Sequence, residues 1–275
     1  MSYEIDVRRR LPRDVAWLAG IAVLFFSVKM CLDFRVGVDA HAYWAAYRGV
    51  VYHSAPSTED AFLYSPAFLQ AIAPIAWLPW PVFATVVMTA AGLTFAYLLA
   101  PLGWRWAVPL WLCCSGEILT GNIFWVLALV ALFGRRVPSL WVVPLLTKIA
   151  PGVGLLWFVV RRQWRAFGVA VATLVVVVGL SYALAPGLWH DWVSFLLQNA
   201  GSSTHAVGSR IVPPPVVRFP LAVLLVTWGA HKQRPWTLPV AMLLATPVIG
   251  LGSFTILAAL VRLGYRPAEP RRPRG

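Results

Sequence analysis

Apolar runs long enough to cross a bilayer, set between basic clusters, constrain this chain more than any other feature. Val15–Leu32 holds eighteen residues with Lys29 as its one charge, and Val82–Ala100 and Ala166–Leu184 hold nineteen each with none. A helix needs about 20 such residues to span the hydrocarbon core. Within that core every backbone N–H and C=O must find a partner inside the protein, which leaves helices or closed barrels. Long runs without polar alternation predict helices. The expected fold is therefore all-α, a polytopic integral membrane bundle.

Composition agrees. Of the 275 residues 12% are charged and 60% hydrophobic, with mean hydropathy +0.73, whereas soluble domains carry roughly 25% charge. Fifteen Trp and eight Tyr suit two membrane–water interfaces. The net charge of +13 raises nucleic acid as a partner, but the placement of the charges argues against it. Sixteen of the 23 Lys and Arg fall at Arg8–Arg10 and Arg13, Arg135–Arg136, Arg161, Arg162 and Arg165, Lys232 and Arg234, and between Arg262 and Arg274. All flank apolar runs, the positive-inside pattern rather than a basic binding face. They predict cytoplasmic N- and C-termini in a multi-pass protein of the cell membrane. The first run has no small-residue cleavage site, so it reads as an uncleaved helix and not a signal peptide. Cys31, Cys113 and Cys114 lie in apolar runs with no metal or redox spacing.

Along the chain, a polar stretch at 33–62 precedes two apolar segments, Tyr64–Leu78 and Val82–Ala100. The LPWP turn at Leu78–Pro81 divides them, because proline cannot continue a helix interior. Ala107–Phe133 is interrupted by SGEILTGN at Ser115–Asn122. Ser139–Val160 is short for two crossings and carries LLTKIAPG, which predicts two short helices or a re-entrant pair. A second polar stretch, 186–215, contains LWHDWVSFLLQ, whose spacing predicts a helix lying along the interface. Val216–Ala230 is a further span, and Trp236–Val261 reads as a tight hairpin or one kinked helix. The expectation is about eight to ten transmembrane or partial helices in one domain over 1–265. External loops lie at about 33–62 and 186–215, with a basic cytoplasmic tail at 266–275.

The two external loops hold four of the five His and half of the ten acidic residues. Asp39, six residues beyond the first run, should sit near the external interface, where partial burial tunes a carboxylate's basicity. There it could take a proton from a hydroxyl acceptor attacking an activated sugar carbon. On the residues alone it serves equally as a helix cap or as an ion-pair partner of Arg35 or Arg48.

The pattern D-x-x-x-Y-W-A-A-Y-x-G-x-x-Y from Asp39, followed by FLYSP at Phe62–Pro66, resembles the polyprenol-phosphate-sugar-dependent glycosyltransferases of family 87. These are integral-membrane enzymes of the GT-C superfamily, many of them mannosyltransferases. The TGN turn at Thr120–Asn122, the K-x-x-P of Lys148 and Pro151, and the basic R-R-x-W-R from Arg161 extend the resemblance over about residues 15–230. Members are usually longer, so this chain reads as a shortened one; TGN keeps the turn but not the commoner Gln, and loop 186–215 has no acid besides Asp191. The resemblance implies inverting transfer of a sugar, mannose above all, from a polyprenyl-phosphate donor to an external lipid or glycan. It also implies that an aspartate in the first external loop is the base. That role maps onto Asp39, with Asp33 as the second choice.

A phosphodiester leaving group needs cations or N–H donors as its charge develops. Lys148 is the candidate from within an apolar segment, where an ionisable residue is functional by default; the alternative is that it snorkels to the interface. Arg48 in the first loop and His205 and Arg210 in the second could serve equally. Glu117 beside the Gly121 turn, and Asn122 within it, could line a cavity. Tyr43, Tyr47, Tyr52 and Tyr64 could face a sugar or pack the loop. No acidic pair suggests a divalent ion, so neither metal nor cofactor is expected. Membrane lipids, the lipid-linked donor and the acceptor are the expected partners. A lipid-linked-sugar transporter or flippase component, or a non-catalytic relative, are the alternatives; an inverted repeat would mark a transporter, and the sequence shows none.

Overall fold

Proline and glycine decide where this chain's helices break. In the computed structural model, residues 2–49, 51–56, 58–199 and 212–264 are described, with side-chain surroundings from residue 12 onward. The elements in order are α1 (Ser2–Asp33), α2 (Val38–Tyr47), α3 (Pro66–Ala76), α4 (Trp80–Leu99), α5 (Trp104–Leu112), α6 (Ser115–Thr120) and α7 (Phe124–Phe133). There follow α8 (Val142–Thr147), α9 (Leu156–Val160), α10 (Trp164–Leu184), α11 (Pro186–Asn199), α12 (Pro215–His231), α13 (Thr237–Ala245) and α14 (Ala259–Gly264). Short 3₁₀ stretches, among them Ala150–Leu155 and Leu251–Ala258, link them, and the described residues contain no strand. The fold is all-α.

Three helices are long and apolar enough to cross a membrane: Pro12–Asp33, Trp80–Leu102 and Trp164–Leu184. They also turn large apolar side chains outward, such as Leu18 and Phe25 on α1, Leu93 on α4 and Val175 and Leu180 on α10. A water-soluble monomer rarely shows such patches, and lipid is the solvent that suits them. This is a membrane protein. The remaining apolar helices are shorter, so the sequence pattern of spans holds for these three and fragments elsewhere.

The fragments follow local chemistry. Pro79 and Pro81 bracket the start of α4, where a missing N–H costs nothing. Ser139–Val160 forms two short segments as expected, and Trp236–Val261 breaks after Ala245 rather than bending as one helix. Thr246, which precedes Pro247, is extended. The carbonyls freed by that break are collected by Arg218 of α12. Its guanidinium donates to Leu244 O (2.9 Å), Thr246 O (2.7 Å) and Pro247 O (2.9 Å), and its Nε to Pro213 O (2.6 Å). The external loop 33–62, expected to be structured, contains α2. The helix expected in the stretch 186–215 forms as α11, pinned by Trp192 Nε1 donating to Leu63 O (3.2 Å) and Trp189 Nε1 donating to Ser181 Oγ (3.0 Å).

The main core joins α4, α7, α9, α12 and α13 around Trp141, Phe158, Leu238 and Met242. Trp141 is fully buried and donates through Nε1 to Gly134 O (3.1 Å). Its ring abuts Gly154, where a Cβ would stand 1.9 Å from Cη2. A second cluster, Ala40, Tyr43, Phe62, Tyr64 and Phe83, packs α2 against α3 and α4.

The molecule has two chemically different ends. Arg13 lies towards the start of α1, which finishes beside α2 at Asp33. α4 starts at Trp80, packed on His41 (centroids 4.8 Å), and runs to Tyr97, whose carbonyl accepts Arg262 Nε (2.8 Å). α10 starts beside Arg161 and Arg162 and leads into α11, next to Leu63. Asp39 thus lies at one end of the spans and the arginine clusters at the other. If the Trp141–Gly154 contact organises the main core, Gly154→Ala should cost about 2 kcal/mol by overpacking, read as a lowered thermal midpoint in detergent.

Candidate active site

Asp39 occupies the first turn of α2, and its position is set by the turn before it. Gly37 caps α2 in the left-handed conformation (φ 73°) and donates its N–H to Leu119 O (2.7 Å). Residues four apart on a helix share a face, so Asp39 and Tyr43 point the same way. The small residues Ala40 and Ala46 of the same helix are fully buried.

Ala40 docks against the break between α6 and α7. Gly121 ends α6 in the left-handed region (φ 69°), and a Cβ there would lie 2.5 Å from that of Ala40. Glycine is required twice over, for conformation and for close approach. The next residue, Asn122, donates from Nδ2 to Asp39 Oδ2 (3.1 Å) while its Oδ1 accepts the Ile123 N–H (2.7 Å). Glu117, 1% exposed, accepts the Phe124 N–H at Oε1 (2.6 Å). It thereby satisfies a donor at the start of α7, where the helix dipole favours an anion. Its Oε2 faces Gly252, where a Cβ would come within 2.6 Å.

Lys148 approaches from α8. It ends that helix, and the following Ile149 is held at φ 52°, an uncommon conformation for a β-branched residue that marks a strained turn. Its Nζ lies 4.5 Å from the Phe124 ring centroid and 5.4 Å from that of Tyr64. Tyr64 in turn shares a hydroxyl hydrogen bond with Tyr43 (3.2 Å). These groups line one cavity of about 490 Å³. Its walls include Val23, Phe26 and Met30 of α1, and Gly252 and Ser253 close it from the C-terminal region.

Burial raises the Asp39 carboxyl above its ordinary value, while Lys148 and the hydrogen bonds of Asn122 and Thr120 pull it back part of the way. Tyr43 is raised well above the usual phenol by burial and by Tyr64 and Asp39, so it stays a neutral hydroxyl. A carboxylate made more basic, a cation and neutral hydroxyls around one cavity can take a proton, oppose an anion and bind polar groups.

The cavity therefore gathers Asp39, Tyr43, Tyr64, Glu117, Asn122 and Lys148 from four separate stretches. Asp33 is elsewhere, paired with Lys29 (2.6 Å) on the exposed side of α1. Arg48 stacks on Trp44 (3.6 Å) and donates to Ala76 O (2.8 Å), closing the end of α3. Neither Arg35 nor Arg48 pairs with Asp39: Arg35 binds Glu59 (2.7 Å), and His41 binds Asp60 (2.6 Å). His205 and Arg210 lie outside the described residues. Nothing local in the sequence separates the Gly250–Ser253 wall from any apolar stretch with glycines. Among the described residues no three His, Cys, Asp or Glu group as metal ligands.

A family model for glycosyltransferase family 87 matches residues 62–274. The chain belongs to glycosyltransferase family 87. It is thus a glycosyltransferase, which takes a sugar donor and an acceptor. No curated protein and no solved structure matches it. The matched region holds Tyr64, Glu117, Asn122 and Lys148; Asp39 and Tyr43 precede it, so their place in the site rests on the cavity itself.

A group whose folded pKa is raised favours the folded state at low pH and loses that contribution as pH rises through the folded value. Asp39→Asn, neutral throughout, should therefore raise the thermal midpoint at neutral pH. The gap to wild type should close on acidification, as detergent melts across pH would show.

Proposed function

We propose that this glycosyltransferase moves a sugar, mannose in the first instance, from polyprenyl phosphate to an external lipid or glycan, with Asp39 as general base. The observation that carries the reading is that the Asp39 carboxylate and the Lys148 ammonium line the same cavity, beside an apolar wall from the spanning helix α1. An isoprenoid chain can approach along such a wall, while the phosphate stays near the cation.

The chemistry balances within the cavity. The acceptor oxygen attacks the anomeric carbon as its proton passes to Asp39, and the bond from that carbon to the phosphate oxygen breaks with its electron pair. Polyprenyl phosphate leaves, and Lys148 opposes the charge it gains. Attack opposite the leaving group inverts the anomeric centre. Tyr43 and Tyr64 can offer hydroxyls to the sugar, Asn122 fixes the Asp39 carboxylate, and Glu117 holds the α6–α7 break in register.

In the orientation that suits the charges, the arginine end is cytoplasmic and the Asp39 end external. The chain is then multi-pass, with cytoplasmic termini in a single domain over 1–265. The test is transfer of radiolabelled sugar from a polyprenyl-phosphate donor in membranes. Asp39→Asn should lower the rate by about 10²–10⁴ with normal expression, and unchanged transfer would remove Asp39 as the base.

Lys148→Gln should lower kcat about 10²-fold or more, as for loss of a group that stabilises developing charge. In wild type, transfer should fall on acidification with a midpoint above the ordinary carboxylate range, because the base must be ionised. Asp39→Asn should lack that limb in whatever activity remains, which a pH–rate profile would reveal.

A further inference from the structure

The end of the molecule opposite Asp39 carries a second built cavity. It is half-open, about 560 Å³, and lined by Arg135, Arg161 and Arg234 with Gln163 and Gln233, and walled by Trp157 and Trp236. An adjoining cavity of about 310 Å³ shares Arg135 and adds Arg136 and Arg262. Five arginines therefore converge from the ends of α7, α9, α12 and α14, and among the described residues no acid lines either cavity. Nor does any described carboxylate form an ion pair with Arg135, Arg136, Arg161 or Arg234.

Like charges held together without a counter-charge repel. These are held by structure: Arg135 lies over the Trp157 ring (5.4 Å), and its Nε is buried without a hydrogen-bond partner. Arg262 stacks on Tyr97 (3.6 Å) and donates from Nε to its carbonyl (2.8 Å). The two helix ends that bring in Arg161 and Arg234 both turn through non-glycine residues in the left-handed region, Arg162 (φ 53°) and Gln233 (φ 54°). Burial, with Arg136 beside it, also lowers the pKa of Arg135. The uncompensated charge and the unpartnered Arg135 Nε describe a site that an anion would relax.

We infer that this cavity binds the phosphate headgroup of an anionic phospholipid, with Arg135, Arg161 and Arg234 as the phosphate contacts and Trp157 and Trp236 against the glycerol and upper acyl region. A lipid fits better than a soluble phosphate because the site is part basic and part aromatic. It also lies where α10 begins at Trp164, the end of a membrane-spanning segment. Basic pockets between helices at the cytoplasmic surface suit acidic headgroups. The proposal does not rest on the transfer reaction, since the cavity and the Asp39 site occupy opposite ends of the spans.

The test uses the full chain purified in detergent, titrated with phosphatidylglycerol or phosphatidylcholine and read by native mass spectrometry. Phosphatidylglycerol should be retained in preference to phosphatidylcholine. The double variant Arg161→Gln/Arg234→Gln, both on accessible helix ends, should weaken that retention about 30-fold, as loss of two surface charges implies. Arg105→Gln, a basic residue outside the cavity, should leave it unchanged. An unaltered melting temperature would show that the double variant is folded; if it is not, each single variant, expected to lose about fivefold, takes its place. Equal retention of the two lipids, or full retention by the variants, would overturn the proposal. Inorganic phosphate competing at the same concentration as phosphatidylglycerol would overturn it in favour of a soluble anion.

Discussion

The contact between Ala40 and Gly121 is the constraint on which the site depends. A helix lying outside the spans must be pressed against a break within the bundle, closely enough that no Cβ fits between them. Only then do Gly37 N–H and Leu119 O meet, and only then does Asn122 reach across 83 residues of sequence to the Asp39 carboxylate. The same glycine releases the chain from α6, so that Glu117 can turn back and accept the first free N–H of α7. One left-handed residue thus places both carboxylates. A side chain there would cost conformational strain and displace α2 together.

That arrangement also accounts for why polar groups tolerate so apolar a setting. A buried carboxylate without partners is strongly disfavoured. Asp39 has Asn122 and Thr120, and Glu117 has backbone donors at a helix start. Neither is neutralised by a direct ion pair among the described residues. A salt bridge would have held Asp39 ionised but poorly basic. Burial, tempered by the Lys148 charge beyond ion-pair distance and by the hydrogen bonds of Asn122 and Thr120, leaves it ionisable and more basic, which is what proton abstraction needs.

Much of this was readable from residues, and what was not has a physical reason. The three spans follow from hydropathy, because lipid-facing helices must be apolar along their whole length. The helix α11 follows from the amphipathic spacing of LWHDWVSFLLQ. The region around residues 33–62 was harder. Its helix is short and rich in alanine, with buried and exposed positions set by what packs on it rather than by periodicity. Arg48 and Asp33 looked like site residues by position, but one serves backbone carbonyls and the other a neighbour four residues away. Local sequence gives no sign of the first, and the second is a spacing-of-four pair that becomes legible once α1 runs to Asp33. The Gly250–Ser253 wall joins the cavity only through the tertiary break that Pro247 begins, and the carbonyls by which Arg218 holds that break lie 26 to 29 residues from it in sequence.

Arg218 and Lys148 together show how a cation away from water can be sorted into structure or function. Both interrupt apolar surroundings, and both would be flagged by the rule that intramembrane charge is functional. Arg218 spends its donors on the carbonyls of Pro213, Leu244, Thr246 and Pro247, in the planar fork that guanidinium chemistry provides. It lines neither the Asp39 cavity nor the arginine one. Lys148 makes no comparable set of carbonyl bonds. Its ammonium rests against the faces of Phe124 and Tyr64, at a strained turn, opposite two carboxylates and open to a cavity. A compact, mobile charge held by aromatic faces can meet an incoming anion without first breaking a fixed network. The first cation closes a gap in the fold; the second is left with its charge available, and that difference in partners, not burial itself, is the physical case for assigning Lys148 to the chemistry.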